Sequence, residues 1–356
     1  MKKRMLIITQ AVDIDDPVLG FFHSWIKAFS KECSSLHVIC LKEGKHDLPS
    51  HVQVHSLGKE QGFSRIQYIL RFFSFIFRFR KEYDQVFVHM NKEYAVLAGI
   101  FWWMFRKPMA LWYNHSYGDV FTRLAVFFSQ FVCYTSPSAY TAKFDKAIRM
   151  PVGVDTNLFS LKSSSEYSTK NTLRLLSVGR LSSVKHVHTM IEVAAILRAR
   201  DVSFSFDIIG TPIDREEDLV YEKRLKDMVQ TYDLSSCVHF LGAISNKELP
   251  LYYQKVDMFL NFTPAGSMDK TIFEAMSSGT AIVVANTSLQ TLLPESCHDA
   301  VISLEDCTFE MIVDILMRKY ALSLEERQQI GLSLRDTVVK EHGLGLLVHR
   351  VISSFS

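Results

Sequence analysis

Twelve short apolar runs, separated by longer stretches of helical patterning, limit what this chain can fold into. The first half holds MLIIT (5–9), LHVICL (36–41), VQVHSL (52–57), QVFVHM (85–90), MALWYN (109–114) and FVCYTS (131–136). The second half holds LRLLSVG (173–179), FSFDIIG (204–210), VHFLG (238–242), MFLNF (258–262), AIVVA (281–285) and AVISL (300–304). The runs are nearly continuous in apolar residues rather than alternating, as in parallel strands covered on both faces. Helical stretches between them predict an α/β chain with one doubly wound sheet in each half. SLKSSSEYSTKN (160–171) is Ser-rich and aperiodic, which reads as a linker. The expected organisation is a first domain over 1–160, a linker over 161–171, a second domain over 172–335 and a terminal helix over 336–356 that crosses back to the first.

A chain of 356 residues, 48% hydrophobic, can build two cores. Its net charge of +2 provides no general basic field, so no nucleic-acid partner is expected. The cysteines at 33, 40, 133, 237, 297 and 307 form no C-x-x-C pair. That points away from zinc and toward reduced thiols in the cytoplasm. The stretch MKKRMLIITQAVDIDD turns polar after a few apolar residues, unlike a secretory leader. The longest apolar stretch, YAVLAGIFWWMF (94–105), is too short to span a bilayer.

The second half contains the chemistry. SVGRLSSVKH (177–186) sets Arg180 directly after a strand and Lys185 near the next helix. Two cations there suit a diphosphate, and a pair of solvated charges is the competing reading. TPAGSMDKT (263–271) leads into a helix N-terminus, whose free N–H groups and dipole favour an anion, and Gly266 permits close approach to the backbone. Glu274 follows about one turn into KTIFEAMSS, a helix that Gly279 can end. A carboxylate there can accept hydrogen bonds from two vicinal hydroxyls such as a ribose offers, or simply complement the dipole.

In the first half, AVDIDDP holds Asp13 and Asp15 at a spacing able to bind a divalent cation, but an Asx-type turn after a strand is the better reading and no metal site is expected. GFSRIQYILRFFSFIFRFRKE (62–82) places Ser64, Gln67, Arg71, Ser74, Arg78 and Lys81 on one polar stripe of a helix crowded elsewhere with Phe, Ile, Leu and Tyr. Arg65 and Arg80 border the apolar arc. The helix is either buried between sheet and neighbours or in contact with an anionic membrane surface or acceptor lipid.

Taken together, LLSVGRLSSVKHVHTMIEVAAIL, FDIIGTPID, VHFLGAISNKELPLYYQKVDMFLN, IFEAMSSGTAIVVAN and PVGVDTNLF make the chain resemble the retaining, nucleotide-sugar-dependent glycosyltransferases of family 4, the glycosyl transferases group 1. The resemblance covers the second half well and the first in outline. It implies the α/β GT-B fold, two doubly wound Rossmann-like domains facing a central cleft. It also implies transfer of a sugar from a nucleoside-diphosphate sugar to an acceptor hydroxyl, with retention and without a metal or other cofactor. The implied partners are the nucleotide-sugar donor and a glycan or lipid-linked acceptor in cell-surface biosynthesis. The implied location is the cytoplasm, peripheral to the inner face of the membrane.

By the same resemblance Arg180 and Lys185 meet the donor diphosphate and Glu274 the ribose hydroxyls. The backbone around Ser267, Met268, Asp269, Lys270 and Thr271 holds phosphates and sugar, and Ala243 and Ile244 flank the nucleobase. In the first half Gly20, in DDPVLGFF, matches the glycine loop that faces the donor phosphates. His115, in WYNHS, contacts the donor sugar and helps orient the acceptor, whereas His89 reads equally as a structural histidine. The chain departs from the family at Gly266, which stands eight residues before Glu274 where a first glutamate meets the donor sugar. Asp269 and Lys270 are the candidates to replace that contact. The departure keeps open a GT-B-like binding protein without catalysis, and a nucleotide-sugar epimerase is the other alternative.

Overall fold

The computed structural model describes residues 3–166, 172–213 and 215–355, so positions 167–171 of the expected linker lie outside it. The chain divides into two compact units: Met1–Gly153 with Ser245–Lys247 and Leu344–Ser356, and Val154–Ile244 with Glu248–Gly343.

The first unit is built on seven parallel strands: β1 (Lys3–Val12), β2 (Cys33–Glu43), β3 (Val52–Ser56), β4 (Gln85–His89), β5 (Met109–Trp112), β6 (Phe131–Tyr134) and β7 (Ala147–Arg149). Their order is β3-β2-β1-β4-β5-β6-β7. Because side chains alternate along a strand, β1 feeds two cores. Met5 and Ile7 meet Phe22, Trp25 and Phe29 of α1 (Gly20–Glu32) and Leu347 and Val351 of the last helix, α11 (Leu344–Ser353). Leu6 and Ile8 join Phe72 and Ile76 of α2 (Arg65–Arg78), Ala98 and Trp102 of α3 (Lys92–Met104) and Ala125 of α4 (Val120–Phe128). Thus α2, α3 and α4 form one layer over the sheet.

Helix α2 starts at a capping box: Ser64 Oγ accepts from Gln67 N at 3.4 Å, and Gln67 Oε1 accepts from Ser64 N at 2.7 Å. From the same stripe, Arg71 Nη2 donates to Ser56 O at the end of β3 at 3.0 Å. Burial accounts for Phe72 and Ile76 but not for Ile66, Ile69 and Leu70, which are exposed.

The second unit has five parallel strands: β8 (Leu173–Val178), β9 (Phe204–Ile209), β10 (Val238–Gly242), β11 (Met258–Asn261) and β12 (Ala281–Val284), in the order β10-β9-β8-β11-β12. Its helices are α5 (Val187–Ala199), α6 (Glu216–Thr231), α7 (Leu249–Lys255), α8 (Lys270–Ser277), α9 (Phe309–Tyr320) and α10 (Leu324–Thr337). Met190 and Leu197 of α5, Leu225 of α6 and Leu316 of α9 pack with Leu175, Phe206 and Leu260 on one face. Tyr253 of α7 lies edge-on to Phe259 of β11 at 5.5 Å. The expected strand over 300–304 does not form: Val301 makes only an isolated bridge to Val284. Ser303 interrupts the apolar run and Glu305 and Asp306 follow it, so the pairing stops at that one bridge.

One reversal of winding, between β10 and β11, explains why β8 matters. Order runs outward from β8 in both directions, so the connections leave β8 and β11 toward opposite sides of the sheet. Such a switch point opens a crevice at the carboxyl ends of the two strands.

Candidate active site

The crevice between the ends of β8 and β11 holds most of the polar residues expected to bind a donor. After β8 the chain turns at Gly179, whose φ of +154° favours glycine. The turn after β9 presses against it, and a Cβ at Gly210 would lie 1.9 Å from Gly179 O. This fixes the position of Arg180, which is exposed, and of the 3₁₀ turn Ser183–Lys185. Arg180, Lys185 and Asn261 line one cavity.

Asp269 is the centre of the crevice. It is the N-cap of α8 and accepts from Thr271 N at 3.3 Å and Thr271 Oγ1 at 3.1 Å. Its other oxygen accepts from Asn261 Nδ2 at 2.8 Å, from Thr263 Oγ1 at 3.3 Å and from the Lys185 ammonium. Lys185 Nζ also donates to Thr263 Oγ1 at 3.3 Å. The side chains of Lys185 and Asp269 are only 19% and 10% exposed, so this is a largely buried pair. Burial alone would raise the Asp269 carboxyl, but Lys185 and the hydrogen bonds hold it at about 2.

Helix α8 ends in a Schellman motif: Thr280 N donates to Ala275 O and Gly279 N to Met276 O, both at 3.0 Å. Gly279 has φ of +71°. Between these fixed ends Glu274 is buried and accepts from Tyr253 Oη at 3.4 Å. Burial first, and then the charges of Glu274 and Asp269, push the Tyr253 hydroxyl well above its ordinary value, so it stays a donor. The ammonium of Lys270 is pushed down to about 8 by burial, against the attraction of Glu274 and Asp155.

The loop before α8 is pinned to the 3₁₀ turn that follows β12. Gly266 N donates to Ser288 Oγ at 2.8 Å, and Asn286 Nδ2 donates to Ser267 O. Gly266 has φ of +86°, a conformation a glutamate rarely adopts. Met268 is buried. Ala243 and Ile244 follow β10, the strand at the opposite edge of the sheet from β12, Ala243 exposed and Ile244 half-buried.

In the first unit Gly20 opens α1, and a Cβ there would meet Ile14 O at 3.1 Å. His115 lies exposed in the loop after β5, its carbonyl accepting from Tyr140 N at 2.8 Å. His89 is a core residue, 3% exposed and stacked on Phe22 at 4.1 Å. Asp13 makes the expected Asx turn, accepting from Asp15 N at 3.1 Å. Asn261, Thr263 and Tyr253 were not singled out from the sequence. The available signal was Asn261-Phe-Thr263-Pro, polar residues that close an apolar strand before a proline.

Comparison with known proteins places this crevice in a class. Residues 161–291 match the family model of glycosyl transferases group 1. That segment lies largely in the second unit and is similar to glycosyl transferases group 1, and the two doubly wound units have the GT-B fold.

The amylovoran biosynthesis glycosyltransferase AmsK of Erwinia amylovora is 32% identical over 143 residues, 38% of this chain and 33% of that protein. The putative colanic acid biosynthesis glycosyltransferase WcaL of Escherichia coli K12 is 27% identical over 150 residues, 40% of this chain and 34% of that protein. The chain thus spans about a third of the length of the curated relatives it matches. Among solved structures, HepE of Anabaena in complex with UDP and glucose superposes with a TM-score of 0.74 at 16% identity, covering 99% of both chains. Sucrose-phosphate synthase from Thermosynechococcus elongatus gives 0.72 at 14% identity, covering 99% of this chain and 98% of that one.

Proposed function

We propose that this protein is a glycosyltransferase that moves a sugar from a nucleoside-diphosphate sugar to an acceptor hydroxyl with retention of configuration. The observation that supports this most is the Lys185–Asp269–Asn261–Thr263–Thr271 network at the β8–β11 switch point, inside a segment that matches glycosyl transferases group 1.

In this reading Arg180, Lys185 and the N-terminus of α8 stabilise the charge that builds on the leaving diphosphate. No divalent ion is then required. Glu274 accepts the ribose hydroxyls, Ala243 and Ile244 flank the base, and Ser267 to Thr271 hold phosphates and sugar. Gly20 and His115 serve the donor phosphates and sugar from the first unit. The HepE complex with UDP makes UDP-sugars the first donors to test. The acceptor is a growing cell-surface glycan or its lipid carrier, met at the inner face of the membrane. The relatives named for amylovoran and colanic acid biosynthesis support the polysaccharide part of this reading.

One observation favours a second reading, a binding protein without catalysis: Gly266 stands in a left-handed turn where the family has its first glutamate. Release of nucleoside diphosphate from UDP-, GDP- and dTDP-sugars in the presence of EDTA separates the two. A transferase hydrolyses its donor slowly in the absence of acceptor, and EDTA leaves that rate unchanged. Binding of a donor with no release, with or without candidate acceptors, selects the binding protein.

A further inference from the structure

The outer face of the α2–α3–α4 layer is unusually apolar for a surface. Trp103 is 74% exposed, Phe127 74%, Ile66 72% and Val120 70%. On α2 the exposed pair Ile66 and Leu70 lies one turn apart, on α3 Ile100, Trp103 and Met104 share one side, and on α4 Val120, Leu124 and Phe127 do.

The three helices form one continuous surface. Phe73 and Phe77 of α2 meet Phe101 of α3 edge-on at 5.6 and 5.2 Å. Gly99 lets α3 approach α4, since a Cβ there would come within 2.5 Å of the Phe128 ring. Scattered exposed apolar residues need no explanation, but a contiguous patch of this kind marks an interaction site.

Charge says what kind of partner fits. The three helices contain five cations, Arg65, Arg71, Arg78, Lys92 and Arg123, and one carboxylate, Glu93. Lys92 is paired with Asp119 at the cap of α4 at 2.7 Å and Arg71 reaches Ser56 O, which leaves Arg65, Arg78 and Arg123 as the exposed positive charges. The chain as a whole is nearly neutral, so this layer concentrates positive charge around its apolar face. Among the described residues no helix is long and apolar enough to cross a membrane. An apolar face with basic residues among and around it lies in a lipid interface, its aromatic side chains at headgroup depth.

We propose that the α2–α3–α4 face is a docking surface for an anionic phospholipid bilayer, with Trp103 and Phe127 inserted and Arg65, Arg78 and Arg123 at the headgroups. This extends the expected contact at 62–82 to two further helices. It would hold the enzyme beside a lipid-linked acceptor. Vesicle binding is read without donor or acceptor, so it can fail while donor turnover stands.

The chain provides its own probe. Of its four tryptophans, Trp25, Trp102 and Trp112 are at most 5% exposed, which leaves Trp103 to report on solvent or lipid. Vesicles of phosphatidylglycerol and phosphatidylcholine with brominated acyl chains should quench the Trp103 emission of the full-length protein. Vesicles of phosphatidylcholine alone should do so at least tenfold less effectively at equal lipid. Arg65→Gln and Arg78→Gln should each weaken binding about fivefold at low salt. Trp103→Ser should remove the quenching, and Phe127→Ser should weaken binding while the circular dichroism spectrum stays unchanged. Absence of quenching by either vesicle overturns the proposal, as does equal quenching by both. Dimerisation that Trp103→Ser abolishes would also overturn it, by assigning the face to a second copy of the chain.

Discussion

Lys185→Ala is expected to slow donor turnover by about 2–4 kcal/mol of transition-state stabilisation, roughly 30- to 1000-fold. Arg180→Ala should slow it within the same range. The two variants differ in stability. Arg180 is exposed, and its loss leaves the fold untouched. Lys185 lies just before α5, where the sequence alone suggests a harmless cleft substitution, but the structure revises that. Its ammonium is the counter-ion of Asp269, and removal strands a carboxylate that is 10% exposed. Breaking such a pair from one side costs about 3 kcal/mol.

The sign with pH is set by Asp269. In the native protein its carboxyl sits at about 2, below its ordinary value near 4. The stability this contributes is complete above pH 4 and is lost as pH falls from about 4 toward 2. In Lys185→Ala the charge that offset burial is gone and only the hydrogen bonds from Asn261, Thr263 and Thr271 remain, so that carboxyl rises and the deficit of the variant should shrink as the pH is lowered and the group protonates. The double variant Lys185→Ala with Asp269→Ala should regain stability at neutral pH without regaining turnover. Urea unfolding from pH 3 to 8, beside donor hydrolysis, checks both halves. A single variant as stable as wild type at pH 7 would mean the pair is not coupled as described.

Glu274→Gln is expected to weaken nucleoside-diphosphate binding by about 2 kcal/mol or more, because charge-assisted bonds to two ribose hydroxyls are lost. The stability cost should be smaller, since Tyr253 Oη, at 3.4 Å from Glu274, can donate to an amide oxygen as well. A 2′-deoxy nucleoside diphosphate should bind weakly to wild type and lose little more with the variant. Calorimetry of both ligands on both proteins decides it. Additive penalties would mean that Glu274 does not read that hydroxyl, and normal affinity in the variant would return it to a dipole-complementing role.

The strands were legible because their near-continuous apolar character is what burial on both faces demands. Where that character thins, legibility ends. AVISL reads as a strand and forms a bridge, while β7, three residues of AIR, forms a strand with no run to announce it. Candidate donor residues were legible as cations and a glycine-containing loop at strand ends. Asp269 was legible as a donor-site loop residue that could replace the missing glutamate contact, but not as the cap of α8 or the counter-ion of Lys185. Its partner Lys185 is 84 positions away, and only the β8–β11 adjacency brings them together. The exposed face of α3 and α4 was hidden for a similar reason. YAVLAGIFWWMF shows that apolar residues are present, but which of them the sheet covers depends on the layer above β4 and β5.

The central claim is that the crevice between β8 and β11 binds a nucleoside diphosphate, and the thermal unfolding midpoint of the full chain tests it most directly. UDP, GDP and dTDP, each with and without sugar, would be added at millimolar concentration to wild type and to Lys185→Ala with Asp269→Ala. A ligand at 100 times its Kd stabilises the native state by about 2.7 kcal/mol. The account predicts that at least one of these ligands raises the wild-type midpoint by several degrees and leaves the double variant near its own baseline. No rise with any nucleoside diphosphate, or an equal rise in both proteins, would contradict it.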